Sequence, residues 1–281
     1  KWGKTFIEHF LGKSANAEKC ELLNPQSLIF RHNKKTGVLE VSAREQLKIR
    51  NNALGYTINY QLERFEYNFP KGMVIYLGYA HFDDFGSAGR RTEHWKKVRR
   101  LAYEGSVTHF MQSFHDNKVV QNGFSMRQLI RLNKRDTSTR PIYNRIRNGD
   151  FSDIDTSKFF IQFSRRGGIF SDSFINIIGK KQLSADSIRF KDPSTNHTLM
   201  FFKADVQVIY RKEKEGSDFL KSHALLRKPG PQTSIFYFRG NTPIVVMQNG
   251  MYFQPLDIMA EGYWAFEKLA ELLPSDYGIN D

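Results

Sequence analysis

The sequence has very little cysteine: Cys20 is the single one among 281 residues. No intramolecular disulfide can form, so the chain must be held by its core rather than by covalent cross-links. There is also no run of about 18 apolar residues, the length that a membrane-spanning helix needs. Because the chain opens at Lys1 rather than at Met, we expect a processed product or a piece of a longer protein, with any signal peptide outside it.

The common motifs of enzymes and metal sites are missing as well. The eight histidines are scattered without an HExxH pair, and one cysteine cannot supply a thiolate cluster. There is no GxSxG nucleophile elbow and no glycine-rich phosphate loop. Paired carboxylates cannot be recognised from spacing, so a glycosidase-like site stays open. We predict no metal, no cofactor and no catalytic residue that a motif would reveal, and we favour a protein that is not an enzyme.

What the sequence does contain is aromatic residues, with 24 Phe, 12 Tyr and three Trp. Such residues favour pleated, half-buried surfaces, so they indicate a sheet-rich core. Residues 55–69 alternate as a strand, and a change of phase predicts a β-bulge near Glu63 and Arg64. Residues 73–79 are an apolar run, which we interpret as its buried partner strand.

The helical segments are fewer and shorter. A short helix is predicted within residues 2–11, a central pair within 91–117 and a C-terminal helix near 263–273. The central pair should break at Gly105, with Ser106 capping the second helix. We therefore predict an α+β protein of mostly antiparallel sheet, forming a single domain over 1–281. A weak boundary is placed at 133–155, a polar, basic segment that we interpret as a long surface loop.

The charge is strongly positive, with a formal net value of +13, and it is concentrated in one part of the chain. Residues 88–150 hold 14 Lys and Arg against five Asp and Glu. A basic surface attracts anionic polymers and headgroups. The alternative is a solvated helix face on which Glu93 pairs with Lys97. The candidate residues for binding an anionic ligand are Arg90, Arg91, Lys96, Arg100, Arg127 and Arg131.

Five stretches carry a family resemblance: KWGKTFIEHFLGKSANAEKCELLN at 1–24, NALGYTINYQ at 52–61, YEGSVTHF at 103–110, Gly123-Phe124 and GYWAFEKLAELLPSDY at 262–277. They resemble Bacteroidetes envelope proteins described as carboxypeptidase-regulatory-like-domain-containing, in the region that follows their β-sandwich module. The resemblance implies a periplasmic or outer-membrane-associated location. It carries over no peptidase residue, because the matching motifs are turns, caps and aromatic packing positions.

The leading hypothesis is a non-enzymatic envelope protein that binds an anionic or carbohydrate ligand, or an envelope protein partner. One alternative is a hydrolase acting on envelope polysaccharide or peptide, which two carboxyl groups about 5 to 10 Å apart in a cleft would favour. Another is a nucleic-acid-binding protein, whose affinity would fall steeply with salt. No RNA- or DNA-binding signature supports this last alternative, so we favour the polysaccharide or protein partner.

Overall fold

The computed structural model describes residues 2–86, 90–165 and 173–278, without the side chains of Arg90, Ser164, Arg165 and Ser173. The helices are α1 (Trp2–Phe10), α2 (Arg90–Tyr103), α3 (Val107–His115), α4 (Arg140–Arg147), α5 (Ser217–Ser222) and α6 (Tyr263–Phe266). The strands are β1 (Cys20–Leu22), β2 (Leu28–Asn33), β3 (Val38–Ala43), β4 (Leu47–Asn51), β5 (Tyr56–Asn68), β6 (Met73–Asp84), β7 (Phe124–Asn133), β8 (Phe159–Arg165), β9 (Ser173–Gly179), β10 (Arg189–Lys191), β11 (Thr198–Met200), β12 (Asp205–Lys214), β13 (Pro231–Phe238), β14 (Ile244–Val246) and β15 (Ile258–Gly262).

The predicted fold class is confirmed, because all of the strand pairs between these elements are antiparallel and helices lie among them. The chain forms two compact units. The first comprises Lys1–His109, Glu215–Gly230 and Tyr263–Asp281, and the second comprises Phe110–Lys214 and Pro231–Gly262. The single domain over 1–281 stays a prediction. None of the described helices is long and apolar enough to cross a membrane.

The first unit is built on one sheet with the order β1-β4-β5-β3-β2, and β6 pairs with the other side of β5. The register of β5 against β6 shifts between Leu62 and Arg64, which confirms the predicted bulge. Gly78 lies opposite this bulge, where an added Cβ would come within 2.1 Å of the Gln61 carbonyl oxygen. The bulge therefore requires glycine at this point of β6.

The core of the first unit is aromatic. Phe6 and Phe10 of α1 are fully buried and stack at 4.8 Å between ring centroids, and Phe6 meets Phe65 of β5 edge-on at the same distance. The prediction that 73–79 is a buried strand is wrong, since β6 is only half-buried. The reason is its place in the sheet: β6 pairs only with β5 among the described strands, so it is an edge strand.

The central helices break where the sequence indicates. Gly105 adopts a positive φ of 84°, and the Ser106 hydroxyl accepts a hydrogen bond from the His109 amide at 3.2 Å. The predicted cap is thus confirmed. The predicted C-terminal helix is shorter than expected, because Lys268 is extended and separates α6 from a 3₁₀ turn at Leu269–Glu271. That turn packs Leu269 into the core, and the Asn51 side chain donates to the Ala270 carbonyl at 2.9 Å.

The second unit contains a sheet with the order β15-β13-β12-β7-β9-β8 and a small sheet with the order β10-β11-β14. The interpretation of 133–155 as a loop is wrong. These residues contain α4, which buries Tyr143 and Ile146 against Leu132 of β7 and the isoleucines of β9. Pro141 in its first turn suits a helix start, because a proline there loses no intrahelical hydrogen bond.

Candidate functional site

Four of the six predicted cations lie on α2 of the first unit: Arg90, Arg91, Lys96 and Arg100. The side chain of Arg90 is outside the described part of the chain. The exposed Lys96 bonds to the exposed Glu93 at 3.0 Å, and the exposed Arg100 bonds to the half-buried Glu104 at 2.9 Å. Glu93 therefore pairs with Lys96 rather than with Lys97 as predicted. Exposed pairs of this kind are typical of a solvated helix face.

The other two predicted cations, Arg127 and Arg131, lie on β7 of the second unit. Arg131 donates to the Glu261 carboxylate at 2.9 Å and lies 3.9 Å from the Asp205 carboxylate. The structure therefore brings Arg131 together with two anions and not with a free basic surface. An anionic ligand would have to displace a carboxylate to reach it.

Arg127 has a different environment. Its guanidinium donates to the backbone carbonyl of Gly179 at 2.8 Å and to that of Lys180. It lies 5.9 Å from the ring centroid of Phe160, and the Lys180 ammonium lies 5.2 Å from the same ring. We call Arg127, Phe160 and Lys180 the aromatic–cation surface. Both distances are within the range over which a cation is attracted to a ring face.

The aromatic–cation surface is accessible and positively charged. Phe160 is 51% exposed on the edge strand β8. Lys180 donates to the Thr156 carbonyl at 2.8 Å, so it too is positioned by a neutral oxygen. Within the described residues neither cation of this surface has a carboxylate partner. Hydrogen bonds that the two cations donate to carbonyl oxygens orient the charges without neutralising them, which leaves a positive field around an exposed ring.

Sequence reasoning identified Arg127 but missed Phe160 and Lys180. The pairing of β7 with β9 and of β9 with β8 places the three residues near the same end of these strands. The signal in the sequence was weak: an apolar strand with a double phenylalanine at 159–160 and a double lysine at 180–181. Only the strand order shows that these positions are neighbours.

The first unit contains a separate cleft of about 710 Å³. It is lined by Tyr56 of β5, by Ala80, His81, Phe82 and Asp84 of β6, by Arg99 of α2 and by residues 274–278. His81, Asp83 and Asp84 lie on β6. Within the described residues no group of three potential metal ligands is present.

Arg99 organises one wall of this cleft. Its guanidinium donates to the carbonyls of Leu54 and Gly55 at 2.7 and 3.2 Å and to the Asp84 carboxylate at 2.8 Å. It also lies over the Tyr56 ring, 3.8 Å from the centroid. The hydrogen bond from Arg99 lowers the pKa of Asp84 below its ordinary value. Burial raises the pKa of Tyr56 to about 12, so its hydroxyl stays protonated at neutral pH.

The cleft is lined by two carboxyl groups, Asp84 and Asp276, which is the number that the hydrolase alternative requires. A glycosidase also needs one of them to donate a proton, which takes a raised pKa. Asp84 has the opposite shift because Arg99 holds it ionised. Asp84 is therefore suited to bind a polar group rather than to act as the proton donor.

No family model matches the chain, and neither does any curated protein or solved structure.

Proposed function

We propose that this protein is a non-enzymatic protein of the bacterial cell envelope that binds an anionic polysaccharide at the aromatic–cation surface. The envelope location follows from the family resemblance of its N-terminal and C-terminal stretches. The binding role is supported by the formal net charge of +13 and by the local geometry around Phe160.

One observation carries the proposal: Arg127 and Lys180 flank an exposed ring and are held by carbonyl oxygens rather than by carboxylates. An acidic polysaccharide presents both of the groups that such a surface recognises. Its carboxylate or sulfate groups can form charge-assisted hydrogen bonds with the two cations. The apolar C–H face of a sugar ring can pack on Phe160, whose burial would contribute hydrophobic stabilisation.

The first experiment compares dextran sulfate with neutral dextran by isothermal titration calorimetry. We expect binding of dextran sulfate that weakens strongly between about 50 and about 200 mM salt, because counterions are released. Neutral dextran should bind much more weakly. Equal binding of the two polymers would contradict an anionic ligand. If single-stranded DNA binds more tightly than dextran sulfate at every salt concentration, the ligand is nucleic acid rather than polysaccharide.

The second experiment locates the surface. The double variant K180Q/K181Q should bind dextran sulfate roughly tenfold more weakly and with a shallower salt dependence, since Lys180 of the site and its exposed neighbour Lys181 both lose their charge. The matched control is K34Q/K35Q, which removes two exposed lysines from the turn between β2 and β3 in the first unit. Equal effects of the two double variants would show that only net charge matters and would overturn the assignment to this surface.

The third variant tests the ring. Phe160→Ala should weaken binding while leaving the salt dependence unchanged, because it removes apolar contact but no charge. If this variant binds dextran sulfate as tightly as the wild type does, Phe160 is not part of the binding site. Release of reducing ends from a polysaccharide by the wild-type protein would contradict the non-enzymatic part of the proposal.

A further inference from the structure

A second binding site is indicated by β6, which has an open backbone edge. This strand runs over 12 residues and pairs only with β5 among the strands of the described chain. The amide and carbonyl groups of every second residue of β6 point away from β5. Such a row of donors and acceptors is a template for another extended chain, and proteins commonly keep edges short or cover them.

The open edge of β6 coincides with the cleft of the first unit. Ala80, His81, Phe82 and Asp84 belong to β6, and residues 274–278 line the cleft with them. A volume of about 710 Å³ is within the range of ligand sites. A chain segment pairing with β6 at Ala80–Asp84 would therefore have a space beside it for its side chains.

The register of β6 shows which side chains share a face with the cleft. Ala80 and Phe82 pair with Tyr60 and Ile58, which are buried residues of β5, so they belong to the core side of the sheet. Tyr79 alternates to the opposite side and is highly exposed. A peptide added to β6 would follow the same alternation and place every second side chain toward the cleft.

The charge of the cleft differs from that of the protein. Although the chain has a formal net charge of +13, the cleft contains Asp84 and Asp276 against a single arginine. That arginine, Arg99, already bonds to Asp84 and to two backbone carbonyls. Asp276 is exposed. The local charge therefore favours a cationic side chain and disfavours the anionic polymer of the aromatic–cation surface.

We propose that the cleft and the open edge of β6 bind an extended peptide segment of a protein partner, which adds to the sheet as a strand and directs a lysine or arginine toward Asp276. Main-chain hydrogen bonds to β6 supply affinity, and the cleft selects the side chain, as in other cases of strand addition. This site is independent of the polysaccharide surface, since it uses different residues and a ligand of opposite charge.

The test uses the full chain labelled with ¹⁵N and an acetylated, amidated peptide of alternating valine and lysine. We expect shifts of the Ala80 and Phe82 amide resonances on titration. A copy of the peptide that is N-methylated at alternate positions keeps the side chains but cannot pair with a strand. Its affinity should be at least about tenfold lower, because the main-chain hydrogen bonds are lost. A glutamate-for-lysine copy should also bind more weakly.

A pair of protein variants tests the charge. Asp276→Asn should weaken binding of the lysine peptide roughly fivefold, whereas Asp83→Asn, on the opposite side of β6, should change it less than about twofold. Asp83→Asn is a matched control because it removes the same charge at a residue of β6 that does not line the cleft.

Three results would overturn the inference. If the N-methylated peptide binds as well as its parent, strand addition is wrong. If the two aspartate variants behave alike, the cleft does not select the basic side chain. If a neutral oligosaccharide of dextran shifts the Ala80 and Phe82 resonances and the peptide does not, the cleft is a carbohydrate site.

Discussion

The main sheets of the two units place charge differently. In the first unit the face that packs on α1 is apolar, and Phe6, Phe10 and Phe65 are buried there with almost no exposed area. In the second unit Arg131, Asp205 and Glu261, on three strands of the sheet, form a half-buried cluster of charges. The first arrangement gains stability from apolar area alone, whereas the second retains charges that are costly to remove from water.

The free-energy cost of removing a charge from water affects Asp205. Burial raises the pKa of this carboxyl to about 6, although the nearby Arg131 lowers it, and Glu261 raises it further. Two carboxylates share one guanidinium, so the cluster is not fully neutralised. The stability of the second sheet therefore depends on the ionisation state of these side chains. The stability of the first sheet depends on how closely its rings pack.

The largest expected effect comes from the aromatic core. Phe6→Ala should lower the free energy of unfolding by about 3–5 kcal/mol, because it removes a fully buried ring and leaves a cavity. All three tryptophans, Trp2, Trp95 and Trp264, lie in the first unit, so urea unfolding followed by their fluorescence reports on that unit. Phe69→Ala, at a ring that is 40% exposed, is the control and should cost much less. Equal losses of unfolding free energy in the two variants would contradict the prediction that Phe6 contributes far more stability than Phe69.

The next effect tests the charged cluster. Arg131→Met should destabilise the second unit by about 2 kcal/mol, because two half-buried carboxylates lose their cation. Unfolding followed by circular dichroism should show the loss while the tryptophan transition stays in place. Adding Asp205→Asn should restore part of the stability, which a double-mutant cycle measures. Strictly additive changes would show that the two residues are not coupled.

The stabilities of the two units should also change with pH in opposite directions, because of His9 in the first unit and Asp205 in the second. Burial lowers the pKa of His9 from 6.5 to about 4, so its contribution to stability is present above pH 6.5 and is lost as pH falls toward 4. The pKa of Asp205 is raised from 3.8 to about 6, so its contribution is present below pH 3.8 and is lost as pH rises through 6.

Each contribution should amount to about 1 kcal/mol after allowance for solvent screening. The measurement is the urea midpoint of the wild type against His9→Gln, by fluorescence, and against Asp205→Asn, by circular dichroism, between pH 4 and 7. If the difference in urea midpoint changes with pH in the same direction for both variants, the prediction of opposite pH responses is wrong.

The smallest effect is at the cap of α3. Ser106→Ala should cost about 0.5–1 kcal/mol, because the His109 amide loses its acceptor. Ser106→Thr keeps a hydroxyl and should restore most of the loss. A threonine variant as unstable as the alanine variant would mean that the hydroxyl does not act as a cap.

Local features of the fold could be predicted from the sequence. The alternation in β5, its bulge and the Ser106 cap each depend on residues that are close together in the chain. The extent of the C-terminal helix could not be predicted, because the core takes in Leu269 only through an extended Lys268. The short α4 could not be predicted because its few apolar residues, Ile142, Tyr143 and Ile146, lie within a basic segment.

The candidate sites depend on long-range pairing, so the sequence indicated them only in part. Arg131 looked like a free cation, yet its partner Glu261 lies 130 positions later. Arg127 was identified, but the ring beside it and Lys180 are neighbours only through β8 and β9. The edge position of β6 likewise follows from strand order and not from the apolar run that defines it.

The division of the chain has a consequence for biogenesis. The second unit ends at Gly262, while the first still needs Tyr263–Asp281, which supplies Leu269 to its core. On the ribosome the unit that begins first is therefore completed last. Its N-terminal strands are synthesised well before the residues of 263–281 that complete the same unit. The core around Phe6 and Phe10 can therefore reach its final packing only after translation has passed Leu269.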